Sequence, residues 1–319
     1  MIVWKDFFDF YRFIKGRSNR TDIITTRSFS RPTLSIRFGQ FLDHFPTALD
    51  IWELFPPTTR LSSTPWVYGC DGKWLRRVGV FFIHRNVTTQ ENLWWSFMQS
   101  ESYEAIACDV KEIAIRLRIS PMGVVSDWKG AIQAAVAAHF GPIPHQRCMA
   151  HVERQIKRLL PLNSPYQATQ RLRHIALFLF SIETQQDLLI WKGMLARWEE
   201  KHRNMLKERT VVQKEERKSW WYTHGNLRRG WRLLTHDQSS LFVFLSYPLI
   251  PKTNNSLEGV NSNLKQKLGN HRGMVTMRQV SFLSWYLAFT RVQNDAGLKK
   301  LWGWWKKTYS PPKATVYIT

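Results

Sequence analysis

The sequence predicts an α/β core that is interrupted by a large α-helical insertion and preceded by a small helical domain, and three observations carry that prediction. Apolar residues recur at helical spacing through the first 42 residues; strand-like alternation begins after a Pro/Ser/Thr-rich stretch at residues 56–65; helical spacing returns from about residue 152 to 247. With 319 residues, 44 % of them hydrophobic, the chain is long and apolar enough to fold, and its length suggests about two domains.

In "DFFDFYRFIK", residues 6–15, Phe7, Phe10, Tyr11 and Ile14 fall at i, i+3, i+4 and i+7, the stripe of an amphipathic helix. "DIITTRSFSRPTLSIRFGQFL" predicts a short helix, a turn and a second helix capped by Ser30, with Leu34, Ile36, Phe38 and Leu42 facing inward. Arg27, Arg31 and Arg37 surround this last helix, so residues 1–55 read as a helix-turn-helix DNA-binding domain whose second helix would enter a major groove. A small helical bundle with no DNA role has the same pattern. Residues 56–65, "PPTTRLSSTP", form the expected linker.

Beyond the linker, "WVYGCDGKWLRRVGVFFIHRNV" predicts two strands joined near Asp71-Gly72, and "NLWWSFMQS" predicts a third. Ile106, Val110, Ile113 and Leu117 then mark a helix; "MGVVSDW" is a short apolar strand ending on Asp127, with the alanine-rich helix "KGAIQAAVAAHF" directly behind it. Three meandering strands, a helix, a strand and another helix is the order of a ribonuclease H-like core. Its first part is expected at 66–151 and its last part at 251–295, with the helical insertion at 152–250 and a basic C-terminal tail at 296–319. Leu188, Trp191, Leu195 and Trp198 share one face of the insertion, and the one-sided "HGNLRRGWRLL" offers Arg228 and Arg229 to DNA.

Charge narrows the partner. The chain holds 46 Lys and Arg against 24 Asp and Glu, a net +22, which calls for a polyanion. Cations interleaved with tryptophans along the whole chain favour nucleic acid over an anionic membrane surface, which is met by one terminal amphipathic helix. No apolar run is long enough to span a bilayer, and the first 20 residues lack the layout of a signal peptide. Cys70, Cys108 and Cys148 are far apart and odd in number, as suits reduced thiols in a cytoplasm. There is no Cys-x-x-Cys pair for a zinc ribbon, and no GxxxxGK[ST] loop for a nucleotide.

Three acids stand out: Asp71 in "YGCDGKW" and Asp127 in "VVSDWKG", both read at strand ends, and Glu258 at the start of the helix "LEGVNSNLKQKL". A carboxylate at a strand end projects beyond the sheet, where open α/β sheets bind ligands. Three converging carboxylates would form an oxygen-rich site for a hard divalent cation, Mg²⁺ with Mn²⁺ as a substitute. Hydrolysis of a phosphodiester needs such a site, because two metals about 3.5–4 Å apart activate the attacking water and stabilise the leaving oxygen. On this reading Asp71 bridges the metals, and Asp127 and Glu258 each complete one coordination sphere. Each acid also has an ordinary structural reading: a hairpin turn for Asp71-Gly72, an N-cap for Asp127, and a first-turn glutamate for Glu258.

"YGCDGKW", "SDWKGAIQAAVAAHFGPIPHQRCMAHVERQ" and "TNNSLEGVNSNLKQKLGNHRGM" resemble the three acidic motifs of Mutator-type DDE transposases of bacterial insertion sequences. The middle motif is the most specific, since Cys148 and His151 match the Cys-x-x-His signature that follows the second acid there. The resemblance covers roughly residues 66–290. It implies a helical insertion between Asp127 and Glu258, and a chemistry in which water cleaves at the element end and the freed 3′-hydroxyl attacks target DNA. It also implies double-stranded DNA as partner, a homo-oligomer in the synaptic complex, and a cytoplasmic, nucleoid-associated protein with no membrane partner. Cys148 and His151 are too few for a structural zinc site and are expected to pack or hydrogen-bond beside the acids. His271, Arg272, Lys265 and Lys267 are expected at phosphate groups near Glu258. Trp220 and Trp221 are candidates to stack on unpaired bases, provided that they are exposed. The rival readings are a ribonuclease H-like nuclease or resolvase, and a domesticated DNA-binding protein without catalysis.

Overall fold

A computed structural model describes residues 2–16, 18–61, 64–76, 78–214, 217–269 and 273–309. In chain order it begins with four helices, α1 (Trp4–Ile14), α2 (Arg20–Arg27), α3 (Arg31–Asp43) and α4 (Ala48–Leu54). The strands β1 (Val67–Leu75), β2 (Gly79–Asn86) and β3 (Glu91–Met98) follow, then α5 (Tyr103–Leu117), β4 (Gly123–Ser126), α6 (Gly130–Phe140) and β5 (His145–Arg147). Next come α7 (Met149–Leu159), α8 (Gln167–Phe178), α9 (Gln185–Lys207), β6 (Arg209–Lys214), β7 (Arg217–Tyr222), α10 (Gly225–Thr235) and α11 (Val243–Ser246). The chain closes with α12 (Asn255–Gly269), α13 (Thr276–Thr290) and α14 (Asp295–Tyr309). This is a mixed α/β fold with antiparallel and parallel strand pairs and many helices, compatible with a ribonuclease H-like core.

The chain divides into two compact units. The first comprises Met1–Pro121, Ala134–Gly141 and Ser256–Thr319, and the second comprises Met122–Gln133 and Pro142–Asn255.

In the first unit β1, β2 and β3 form an antiparallel meander in which Asp71 faces Ile83 and Gly69 faces Arg85. The expected turn at Asp71-Gly72 does not form there. Asp71 is the fifth of nine residues of β1, and the chain reverses after Leu75, whose carbonyl accepts the Val78 N–H. Gly72 serves close approach instead: a Cβ there would lie 2.1 Å from Glu101 Oε1 and 2.7 Å from Val80 Cγ1. The N-terminal helices share their core with α13. Phe10 stacks on Phe41 with ring centroids 4.8 Å apart, and Phe7 meets Trp285 edge-on at 5.6 Å. Ile36, expected inside, is 66 % exposed, because Leu34, Phe38, Phe41 and Leu42 form the buried face of α3 and Ile36 falls off that stripe. The expected linker includes a short 3-10 turn, where Glu91 accepts hydrogen bonds from Thr58 and Thr59.

In the second unit β4 and β5 pair in parallel, and the helices form one core around Met149, Val152, Ile156, Leu172, Trp191 and Leu195. Trp191 and Trp198 bury their rings and donate their indole N–H groups to the carbonyls of Ile175 and Ala168. The insertion is not wholly helical. β6 and β7 form an antiparallel ribbon with Val211 opposite Trp220. The β-branched "TVV" and aromatic "WWY" favour extended chain, whereas the expectation of helix rested on the spacing of Leu188, Trp191, Leu195 and Trp198 before them.

Candidate functional site

Asp71 is partly buried on β1. Its Oδ1 accepts the Gly72 N–H at 3.0 Å, and its Oδ2 accepts Nδ2 of Asn261 at 2.8 Å. Asn261 lies on α12 three residues after Glu258, which is in that helix's first turn. Residues three apart on a helix are neighbours on one face, so the bond that docks α12 on β1 also brings the Glu258 face toward Asp71. Two of the three predicted acids therefore lie on elements of the first unit, β1 and α12, that the Asn261 amide, passed over by sequence reading, holds together. Its only sequence signal is an asparagine one turn after a first-turn glutamate.

Asp127 follows β4 directly in the second unit. Its Oδ2 is 2.9 Å from Nζ of Lys129, and its Oδ1 accepts the Lys129 backbone N–H at 3.3 Å. The first bonds of α6 are accepted by the Lys129 carbonyl, so Asp127 precedes the helix cap rather than forming it. Between strand and helix, Trp128 takes a left-handed conformation (φ 70°), held by the Ser126 hydroxyl on its N–H at 3.2 Å and by Gln133 on its carbonyl at 3.0 Å. The left-handed region is costly for a large residue, and such strain persists only where the surroundings impose it.

Several groups surround Asp127. Ser126 Oγ and His145 Nε2 are 2.8 Å apart, and burial pushes His145 down to about 4 although Asp127 pulls it up. Burial and the charge of Arg154 likewise press His151 down to about 4, again against Asp127. Burial lowers Arg147 from its ordinary value, while Asp237 and Asp127 raise it. Both histidines are neutral at pH 7, and a neutral imidazole can accept a hydrogen bond.

Cys148 is fully buried and sits at the start of α7. Its N–H donates to the Ser126 carbonyl at 2.7 Å, and its Sγ accepts the Asn254 N–H at 3.2 Å. The thiol thus fixes the chain leading into α12, and its carbonyl accepts the His151 N–H at 3.1 Å.

The expected DNA contacts divide. Arg27 and Arg37 are turned to internal duty: both bind the buried carboxylate of Asp6, and Arg27 also binds Asp9 at 2.6 Å. Arg31 and Arg229 are exposed. Arg228 lies 4.0 Å over the ring of Tyr222 and donates to the Leu206 carbonyl at 3.2 Å. Lys265 is exposed and faces Lys73 across a shallow cavity, whereas Lys267 donates to the Gly16 carbonyl. Lys73 was not anticipated; burial, with the charge of Lys265, lowers it to about 8. Trp220 and Trp221 are 49 % and 50 % exposed, and Trp220 stacks on Arg209 at 4.1 Å. His271 and Arg272 lie outside the described residues.

Among known proteins, residues 120–260 match the family model described as "Transposase IS66 family". The matched span is under half of the chain. It contains Asp127, Cys148, His151 and Glu258, and Asp71 precedes it. The match supports a DDE transposase of an insertion sequence. Among the described residues no helix is long and apolar enough to cross a membrane. No curated protein matches the chain.

Proposed function

We propose that this chain is a DDE transposase that cleaves the ends of its insertion sequence and joins the freed 3′-hydroxyl to target DNA, with Asp71, Asp127 and Glu258 as its catalytic acids. The observation that carries the reading is the bond from Asn261 to Asp71, which docks the Glu258-bearing helix on the strand that holds Asp71. It is supported by the family match across Asp127 and Glu258. The resemblance to Mutator-type enzymes adds Cys148 and His151 as supporting residues and a homo-oligomeric synaptic complex.

The donor set fits a hard divalent cation. Carboxylates are oxygen ligands of the kind such a cation takes, and Asp71 is held in a fixed orientation by one amide and one backbone N–H. Asp71, Asp127 and Glu258 would hold Mg²⁺, or Mn²⁺ in its place. Bound there, the cation supplies Lewis acidity and lowers the pKa of water.

The rest falls to the chain itself. Asn261 and the Gly72 N–H keep the Asp71 carboxylate from rotating, so that its oxygens need no reorganisation when substrate arrives. Lys129 pairs with Asp127 and is positioned to exchange that carboxylate for a phosphate oxygen. His145 and His151, held neutral by burial, add no positive charge on the Asp127 side.

The test uses the purified chain, Mg²⁺ and a plasmid carrying the ends that flank its gene. Cleavage and strand transfer by wild type, both lost in Asp71→Asn, are expected. Normal cutting by Asp71→Asn would refute the assignment; cutting without any joined product would reassign the chain as a nuclease.

A further inference from the structure

Within the first unit a cavity of about 630 Å³ opens between the turn joining β2 to β3 and the helices α12 and α13, and its lining includes Arg85, Glu91, Asn92, Tyr286, Thr290 and Arg291. Its two guanidinium groups are in different situations. Arg291 is satisfied: it binds Glu91 Oε1, and its Nη2 donates to the Phe55 carbonyl at 2.7 Å. Glu91 is satisfied as well, since it also accepts the backbone N–H groups of Thr58 at 2.9 Å and Thr59 at 3.2 Å, together with both threonine hydroxyls.

Arg85 has no such partner. It is 6 % exposed, its Nη1 donates to Oδ1 of Asn92, and Asn92 is fixed in turn by its Nδ2 donating to Thr290 Oγ1 at 3.2 Å. Its Nε is buried without an acceptor among the described residues. Among the described residues no carboxylate pairs with Arg85. Burial lowers Arg85 to about 10, so it remains a cation at pH 7.

A buried cation without a counter-ion is costly, and an unmet N–H in the same side chain adds to that cost. The amide that orients this guanidinium satisfies one N–H but brings no charge. The missing counter-charge is supplied by one ligand type, a compact anion with several acceptor oxygens that a guanidinium fork can bind. We propose that this cavity is a phosphate-binding site in which Arg85 receives the phosphate group. The group reaches it either as free phosphate or pyrophosphate, or as the terminal phosphate of a DNA strand. The site rests on Arg85 and its cavity and is independent of the catalytic reading above, since none of the three acids lines it.

Binding is measured with the full chain by thermal unfolding and titration calorimetry in sodium pyrophosphate against sodium chloride of equal ionic strength. Wild type is expected to melt higher in pyrophosphate, and Arg85→Met to weaken binding roughly tenfold or more, the worth of charge-assisted hydrogen bonds. Arg85→Lys should recover part of the affinity. Gln293→Glu, exposed at the rim, keeps the test decisive if Arg85→Met fails to fold by circular dichroism, because a carboxylate there should weaken pyrophosphate several-fold at low salt. No specific pyrophosphate effect in wild type, or equal binding by folded Arg85→Met and by Gln293→Glu, would overturn the proposal. Oligonucleotides with a 5′-phosphate or a 5′-hydroxyl separate the sources. Tighter binding of the phosphorylated strand, competed by pyrophosphate, supports the DNA end; pyrophosphate binding without that difference supports free phosphate.

Discussion

Asn261 donates to Asp71 across 2.8 Å and joins helix α12, which carries Glu258 one turn earlier, to the strand on which Asp71 stands. A carboxylate that must bind a metal in one orientation is tuned by whatever holds its second oxygen. Asn261→Ala should therefore reduce Mg²⁺-dependent cleavage by about 10–100-fold while DNA affinity stays within about twofold. Single-turnover cleavage and a filter-binding assay on the same preparation check this, and an unchanged cleavage rate would remove Asn261 from the site.

Lys129 pairs with Asp127 at 2.9 Å, and a cation held by that carboxylate would compete with it. Lys129→Met should lower the Mg²⁺ concentration needed for half-maximal cleavage by a few-fold, since the pair is partly exposed and such pairs are worth about 1 kcal/mol or less. A rise in the required Mg²⁺ would mean that Lys129 assembles the site rather than guarding it.

His145 sets a pH dependence of stability. Burial lowers its folded pKa to about 4, below its ordinary 6.5. Between those values the unfolded chain binds more protons than the folded one, so stability rises with pH across that window and is lost as pH falls from 6.5 toward 4. Above the window His145 has no effect. Urea unfolding of wild type and His145→Gln should show a smaller acid loss in the variant between pH 6.5 and 4.5, provided that the Ser126 hydrogen bond is retained; equal slopes would assign the acid loss elsewhere.

Asp6 gathers two arginines from different helices at 1 % exposure of its side chain. Removing one partner of a buried ion cluster strands the remaining charge, at a cost of about 3–5 kcal/mol. Asp6→Ala should lose stability on that scale in urea unfolding. Arg31→Ala, at an exposed position of α3, should leave stability within about 0.5 kcal/mol. If α3 meets DNA, that same variant lowers the salt slope of binding by about one; an unchanged slope would take Arg31 off the DNA.

Exposed Trp220 and Trp221 on the β6–β7 ribbon are available to bases. Changing either to alanine should weaken single-stranded DNA binding by about 1–3 kcal/mol without loss of thermal stability. A variant that melts early would instead mark the ribbon as structural.

Much was legible in the residues themselves. The short apolar "GVVS", Asp127 and an alanine-rich helix are a local pattern, and the strand, the acid and the helix stand as read. The burial of Phe7, Phe10 and Ile14 followed from helical spacing, and so did that of Leu188, Trp191, Leu195 and Trp198. Asp71-Gly72 was misread because a dipeptide favoured in hairpins carries no record of the partner strand β2, against which both residues pair in mid-strand. The Val-rich and Trp-rich ribbon was hidden by the helical spacing of Leu188, Trp191, Leu195 and Trp198 before it.

The sequence by itself determined most of the elements and the basic charge, and it singled out the three acids, because periodicity, composition and residue chemistry are properties of the chain within a few turns of any position. Only the tertiary structure decided that Arg27 and Arg37 serve Asp6, that Asn261 holds Asp71, and that Arg85 is buried without a counter-ion. Those relations join residues far apart in sequence. Each is settled by burial, where an unmet charge or N–H costs most, and burial is written in the packing of distant side chains rather than in any local pattern.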